Sequence, residues 1–128
     1  MALTTTTFSV ALPYKLTVNT DTDTGVSNGG YANVTGTTGT LYGVEIDNSG
    51  VGQITYVKFY DATSVAMGTD RNLLGFRVDA SSRLNIFIPG GIAFSAGITM
   101  GATNHADGAG TAGTTDPSSA VTVRLITS

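Results

Sequence analysis

Few side chains in this chain have the types and spacing to do chemistry. His105 is the single histidine, two residues before Asp107. Serines are plentiful, so a Ser-His-Asp set is possible in composition, but nothing reads as a nucleophile elbow: Gly25-Val26-Ser27-Asn28-Gly29 has the Gly-x-Ser-x-Gly spacing inside a polar loop, with no helix signal after it. Glu45 is the single glutamate. A glycosidase needs two carboxyls facing each other across a cleft. The ordinary expectation for Glu45 is an ion pair with Lys58 on a neighbouring strand. Asp21-Thr22-Asp23-Thr24-Gly25 has the spacing of the front of a calcium loop, where alternate oxygens converge on a hard cation. The bidentate glutamate such a loop needs downstream is missing, and residues 19–30 read as a solvated hairpin loop. One imidazole and no thiolate do not make a zinc site. The glycines form no Gly-x-x-x-x-Gly-Lys-Ser/Thr phosphate loop. The residues therefore predict no catalysis, no metal and no cofactor.

The elements that carry these residues read as strands. The chain has 128 residues, no cysteine, 17 glycines and only 12% charged residues. That length suits one domain with a core large enough to fold without a disulfide. The net charge is −3 and the six basic residues are scattered singly, so no basic stripe is present to follow a nucleic-acid backbone. No apolar run approaches the ~20 residues of a membrane helix. Met1 to Thr7 lacks the positive and apolar regions of a secretory signal, and the absence of cysteine is compatible with synthesis in a reducing cytoplasm. Threonine, valine, isoleucine and aromatics dominate, with glycine-bearing turns every ten residues or so, the mark of an all-β sandwich or barrel.

Taken in order, residues 1–7 form a threonine-rich arm, read as a frayed end or as a strand for a neighbouring subunit. Phe8 to Val18 alternates but is broken by Pro13, giving an edge strand or two short strands with a bend. Tyr31 to Thr35 is a short strand. Leu41 to Asp47 places Tyr42, Val44 and Ile46 on one face, and Asp47-Asn48-Ser49-Gly50 turns the chain. Ile54 to Tyr60 points Val57 and Phe59 to a core and Tyr56, Lys58 and Tyr60 away from it. That second face is either half-buried with its polar tips in water or part of a contact surface, where tyrosine is enriched. A connection with a short apolar element at residues 65–67 leads to a strand from Leu73 to Asp79. In Arg83 to Gly97, Leu84, Ile86 and Ile88 oppose Arg83, Asn85 and Phe87. Pro89-Gly90-Gly91 then predicts a tight reversal between two strands. Gly97 marks a bend or bulge, residues 101–120 form a long loop without periodicity, and Val121 to Ile126 is a closing strand. The expectation is one antiparallel β-sandwich over residues 8–128, jelly-roll or immunoglobulin-like, of about eight strands.

Three segments then stand out together: Gly39-Thr40-Leu41-Tyr42-Gly43-Val44-Glu45-Ile46-Asp47-Asn48, Thr55-Tyr56-Val57-Lys58-Phe59-Tyr60-Asp61-Ala62, and Ile88-Pro89-Gly90-Gly91-Ile92-Ala93-Phe94-Ser95-Ala96-Gly97-Ile98. Their order, followed by a valine-rich strand, resembles small virion structural proteins of tailed phages, especially cyanophages. The resemblance spans residues 39 to 126. It implies a β-sandwich on the outer capsid surface, a decoration or cement protein bound to the major capsid protein. It also implies self-association, a trimer first, with a dimer or monomer serving as well. The arm and loop 101–120 are the attachment elements this reading favours, with Phe8, Tyr56, Lys58 and Tyr60 as contacts. The alternative is a tail, neck or fibre component, or a β-sandwich that binds carbohydrate or a host surface through loop 19–30 or loop 101–120.

Overall fold

The computed structural model describes residues 3–9, 15–21, 32–34, 37–65, 70–106 and 117–128, with the backbone alone for 3–9, 15–21 and 32–33. Nine strands follow one another: β1 (Leu3–Ser9), β2 (Lys15–Asp21), β3 (Ala32–Asn33), β4 (Gly39–Asp47), β5 (Thr55–Asp61), β6 (Leu74–Val78), β7 (Arg83–Phe94), β8 (Ile98–Thr103) and β9 (Val121–Thr127). No helix occurs among the described residues. The strands form two antiparallel sheets, ordered β1-β2-β9-β4-β7 and β3-β8-β5-β6. The all-β class expected from composition therefore holds. The strand count departs from the expected eight. Six strands, β4 to β9, carry described side chains and form a three-stranded layer in each sheet; β1, β2 and β3 extend the layers.

The pairing is nested: β5 pairs with β6, β4 with β7, β3 with β8 and β2 with β9. The long hairpin this describes is rolled up, because β4 also pairs with β9 and β5 with β8. One apolar core joins the sheets. Leu41, Val44 and Ile46 of β4 and Val121, Val123 and Leu125 of β9 meet Val57 and Phe59 of β5 and Ile98, Met100 and Ala102 of β8. Each large apolar side chain buried in this way stabilises the fold by roughly 2 kcal/mol. Phe59 stands edge-on to Phe76 of β6, ring centroids 5.9 Å apart. The inward set Val57 and Phe59 is the one that alternation predicts.

Two expectations fail, for one reason. Pro89-Gly90-Gly91 does not reverse the chain. β7 is a single strand of 12 residues that stays on β4 throughout. Phe87 pairs with Gly43 and Ile92 with Leu41, so residues 88–91 of β7 face Tyr42 alone. Gly90 and Gly91 do adopt positive φ, 77° and 74°, but the pair builds an outsized bulge instead of a turn. On the β4 side the same irregularity inserts Tyr42 into the ladder with β9. That extra residue flips the alternation, so Leu41, Val44 and Ile46 point inward and Tyr42 does not.

The threonine arm is the backbone of β1, paired with β2 of the same chain from Leu3↔Asp21 to Ser9↔Lys15. The break expected around Pro13 falls between these strands, and Pro13 itself lies outside the described residues. The predicted strand at 31–35 is described only as β3. The calcium-like run beyond Asp21, the apolar element at 66–67 and loop residues 107–116 also lie outside the described residues.

Candidate functional site

The residues with chemical potential are placed apart. Glu45 does not meet Lys58, which is in the other sheet. Its Oε1 accepts from Arg124 Nη1 on β9 at 2.6 Å, half exposed. His105 is exposed just beyond β8, and its carbonyl accepts the Thr103 hydroxyl at 2.8 Å. Asp107 lies outside the described residues. Among the described residues no group of three His, Cys, Asp or Glu side chains comes together.

The segments quoted above for their resemblance end in turn locks. Asp47 Oδ1 accepts both the amide and the hydroxyl of Ser49, at 3.0 and 2.5 Å. Those bonds, with Arg83 Nε at 3.2 Å, hold the carboxyl down from 3.8 to about 2. Asn48, fully buried, donates to the carbonyls of Gln53 and Asp79 and accepts the Thr55 hydroxyl. It thereby ties the β4–β5 turn to the β6–β7 turn. Asp61 receives the amides of Ala96 and Ser95 at 2.8 and 3.1 Å, the Ser95 hydroxyl at 2.9 Å and, more distantly, the Gly97 amide. Those donors hold Asp61 at about 2 as well and shape the β7–β8 turn. These motif residues build corners.

The four expected contact residues are not brought together. Phe8 is on β1 of the five-stranded sheet, while Tyr56, Lys58 and Tyr60 are on β5 of the other. Lys58 is 1% exposed and Tyr60 3%, and Tyr56 is half-buried. A contact surface needs open side chains, so Lys58 and Tyr60 do not offer one. Their strand alternation points them away from the central core, but β8 beside them is buried at all six positions, so both faces of the sheet are covered at β8 and over most of β5.

The open face is on the other sheet. Register aligns Phe8, Leu16, Ile126, Gly43 and Phe87 in one row across all five strands. Phe87 is 77% exposed and Ile126 43%. The next row runs Thr6, Val18, Arg124, Glu45, Asn85, and the third Thr4, Thr20, Thr122, Asp47, Arg83. Gly43 leaves a dent beside Phe87, a recess of about 420 Å³ bordered by Glu45, Asn85, Arg124 and Ile126. A second recess of about 440 Å³ lies on the other side of Phe87, against Tyr42, Ile88 and Gly90.

No protein-family model and no curated protein matches the chain. The site therefore rests on its geometry. Phe8 lies in register with Ile126, Gly43 and Phe87. Phe87, Ile126 and Gly43 were not singled out by sequence, although a signal for two of them existed. Phe87 shares its strand face with Arg83 and Asn85, and Ile126 shares its own with Thr122 and Arg124, so both had to point away from the core. The role of Gly43 depends on the bulge and was not visible.

Proposed function

We propose that this chain is a structural component of a phage head, a decoration protein that binds the outer surface of the major capsid lattice and stabilises it. The observation that carries the reading is the open face of the five-stranded sheet. Phe87 and Ile126 are left in water on it, and exposed apolar side chains grouped in this way mark a protein contact. The acids of the face already have basic partners at 2.6 and 3.2 Å within the chain, so the surface presents little net field. The nested strand order supports the finer fold reading as well, a jelly-roll sandwich of the eight strands β2 to β9 with β1 added at an edge, an architecture common in capsid and lectin domains. Fold alone does not assign a role. The resemblance of residues 39 to 126 to small virion proteins directs the reading to the head.

The test is a cryo-electron reconstruction of the particle that carries this protein. Density for the sandwich repeated over the icosahedral lattice, in contact with the major capsid protein, is the expected result. Density confined to a tail or a single vertex would overturn it in favour of a tail, neck or fibre role, with host-surface or carbohydrate binding the next activity to assay.

A further inference from the structure

We infer that the outer face of the five-stranded sheet pairs with the same face of a second copy about a twofold axis, each Phe87 seating in the recess over the other copy's Gly43. The inference rests on the reading above in one respect only, that this face is a protein contact, and it assigns that contact to a neighbouring copy in the coat, leaving the rest of the sandwich to meet the major capsid protein.

A twofold interface is made by one patch meeting itself, so the patch must carry both the projection and the hollow that receives it. This face does. Phe87 is the most exposed large apolar side chain described, at 77%, and its register partner is the glycine that leaves the hollow. The recess of about 420 Å³ has room for a phenyl ring, and Ile126 lies at its edge. A trimer, by contrast, joins two different faces.

Charge does not oppose a copy. The chain carries −3, which opposes self-association in general. The face itself is balanced. Glu45 pairs with Arg124 and Asp47 with Arg83, and register adds only uncharged residues to those two rows: threonines, Val18 and Asn85. Two such faces meet without repulsion.

Area sets the strength. Five strands about 4.8 Å apart and some seven residues of about 3.4 Å each outline a face of roughly 24 by 24 Å, on the order of 600 Å² per copy. The pair then covers about 1,200 Å², the lower bound for specific interfaces. The dimer is weak in solution, with a dissociation constant on the order of 10 µM.

Sedimentation equilibrium of the full chain from ~1 to ~500 µM tests this. The wild type is expected to dimerise, and Phe87→Asp and Gly43→Leu each to weaken the dimer at least about tenfold. A Cβ at Gly43 meets nothing closer than Ile126 Cδ1 at 3.5 Å, the rest of a leucine has the recess to enter, and Phe87 is open to water, so both variants are expected to fold. Circular dichroism checks that, and Gly43→Ala, with one carbon in the hollow, replaces the leucine variant should it fail. Mixing the two variants decides the geometry. The Phe87 of Gly43→Leu finds the intact hollow of Phe87→Asp, so the mixed pair forms more tightly than either variant alone. A monomer throughout, a trimer, unchanged dimerisation of the variants, or a mixture no tighter than its components would overturn the inference. A monomer that still coats the capsid lattice would sink the pairing and spare the head assignment; a confirmed dimer absent from the head would do the reverse.

Discussion

Asp47 and Asp61 sit at the surface, yet each is bound by several donors that an unfolded chain cannot arrange. Both carboxyls are lowered from 3.8 to about 2, Asp47 chiefly by Ser49 and Asp61 chiefly by the Ala96 and Ser95 amides. A carboxylate whose folded value lies below its unfolded one adds stability at pH above the unfolded value. That contribution is lost as pH falls through the folded value. The expected outcome is a drop in unfolding free energy as pH goes from about 4 to about 2, read from urea curves at several pH values. Asp61→Ala lowers stability at pH 7 and makes the acid drop shallower. Equal acid sensitivity in that variant would show that the β7–β8 turn does not depend on the carboxylate.

The bulge in β7 sets the character of the element that holds the candidate site. Gly90 and Gly91 share the left-handed conformation, but their surroundings differ. A Cβ at Gly90 meets nothing within 4 Å, whereas one at Gly91 collides with Thr40 and the ring of Tyr42. Gly90→Ala is therefore expected to cost only the conformational penalty, about 1 kcal/mol. Gly91→Ala costs that and a steric clash, about 3 kcal/mol in all. Chemical denaturation of the two variants measures the difference, and equal losses would show that Tyr42 moves aside freely. Much of this level was legible in the chain. The alternation in residues 55–60 and 84–88 assigns the inward side correctly, because one buried face imposes a period of two. The reversal at Pro89 was misread because a proline and two glycines satisfy a bulge as well as a turn, and only the partner strand distinguishes them. Lys58 was misplaced for a related reason. Alternation says which side of a strand a residue occupies, and it says nothing about what covers that side.

At the scale of the whole molecule, the fold is dominated by pairs distant in sequence. β2 meets β9 from Lys15↔Thr127 to Asp21↔Val121, and β4 spans the gap between β9 and β7. Closing such loops precedes any reward from the contacts they bring, and β topologies of this kind fold slowly. Refolding from urea is expected to take on the order of seconds in its main phase, against milliseconds for a protein of local pairings. Stopped-flow fluorescence of the tyrosines measures it, and a millisecond main phase would mean that β2·β9 pairing is not part of the barrier. The nested order itself was not legible, since local patterning locates strands without saying which ones pair.

β9 lies between β2 and β4, yet it follows both in the chain. A ribosome releases β2 and β4 well before β9 exists, and at 5–20 residues per second the interval from Asp21 to Val121 is on the order of ten seconds. During that time the edges that β9 will occupy have no partner of their own. The nascent polypeptide must either be shielded or stay soluble on its hydroxyl-rich composition. Codon choice and chaperone supply between β8 and β9 thus bear directly on the yield of folded protein, and slow translation there prolongs the exposed interval.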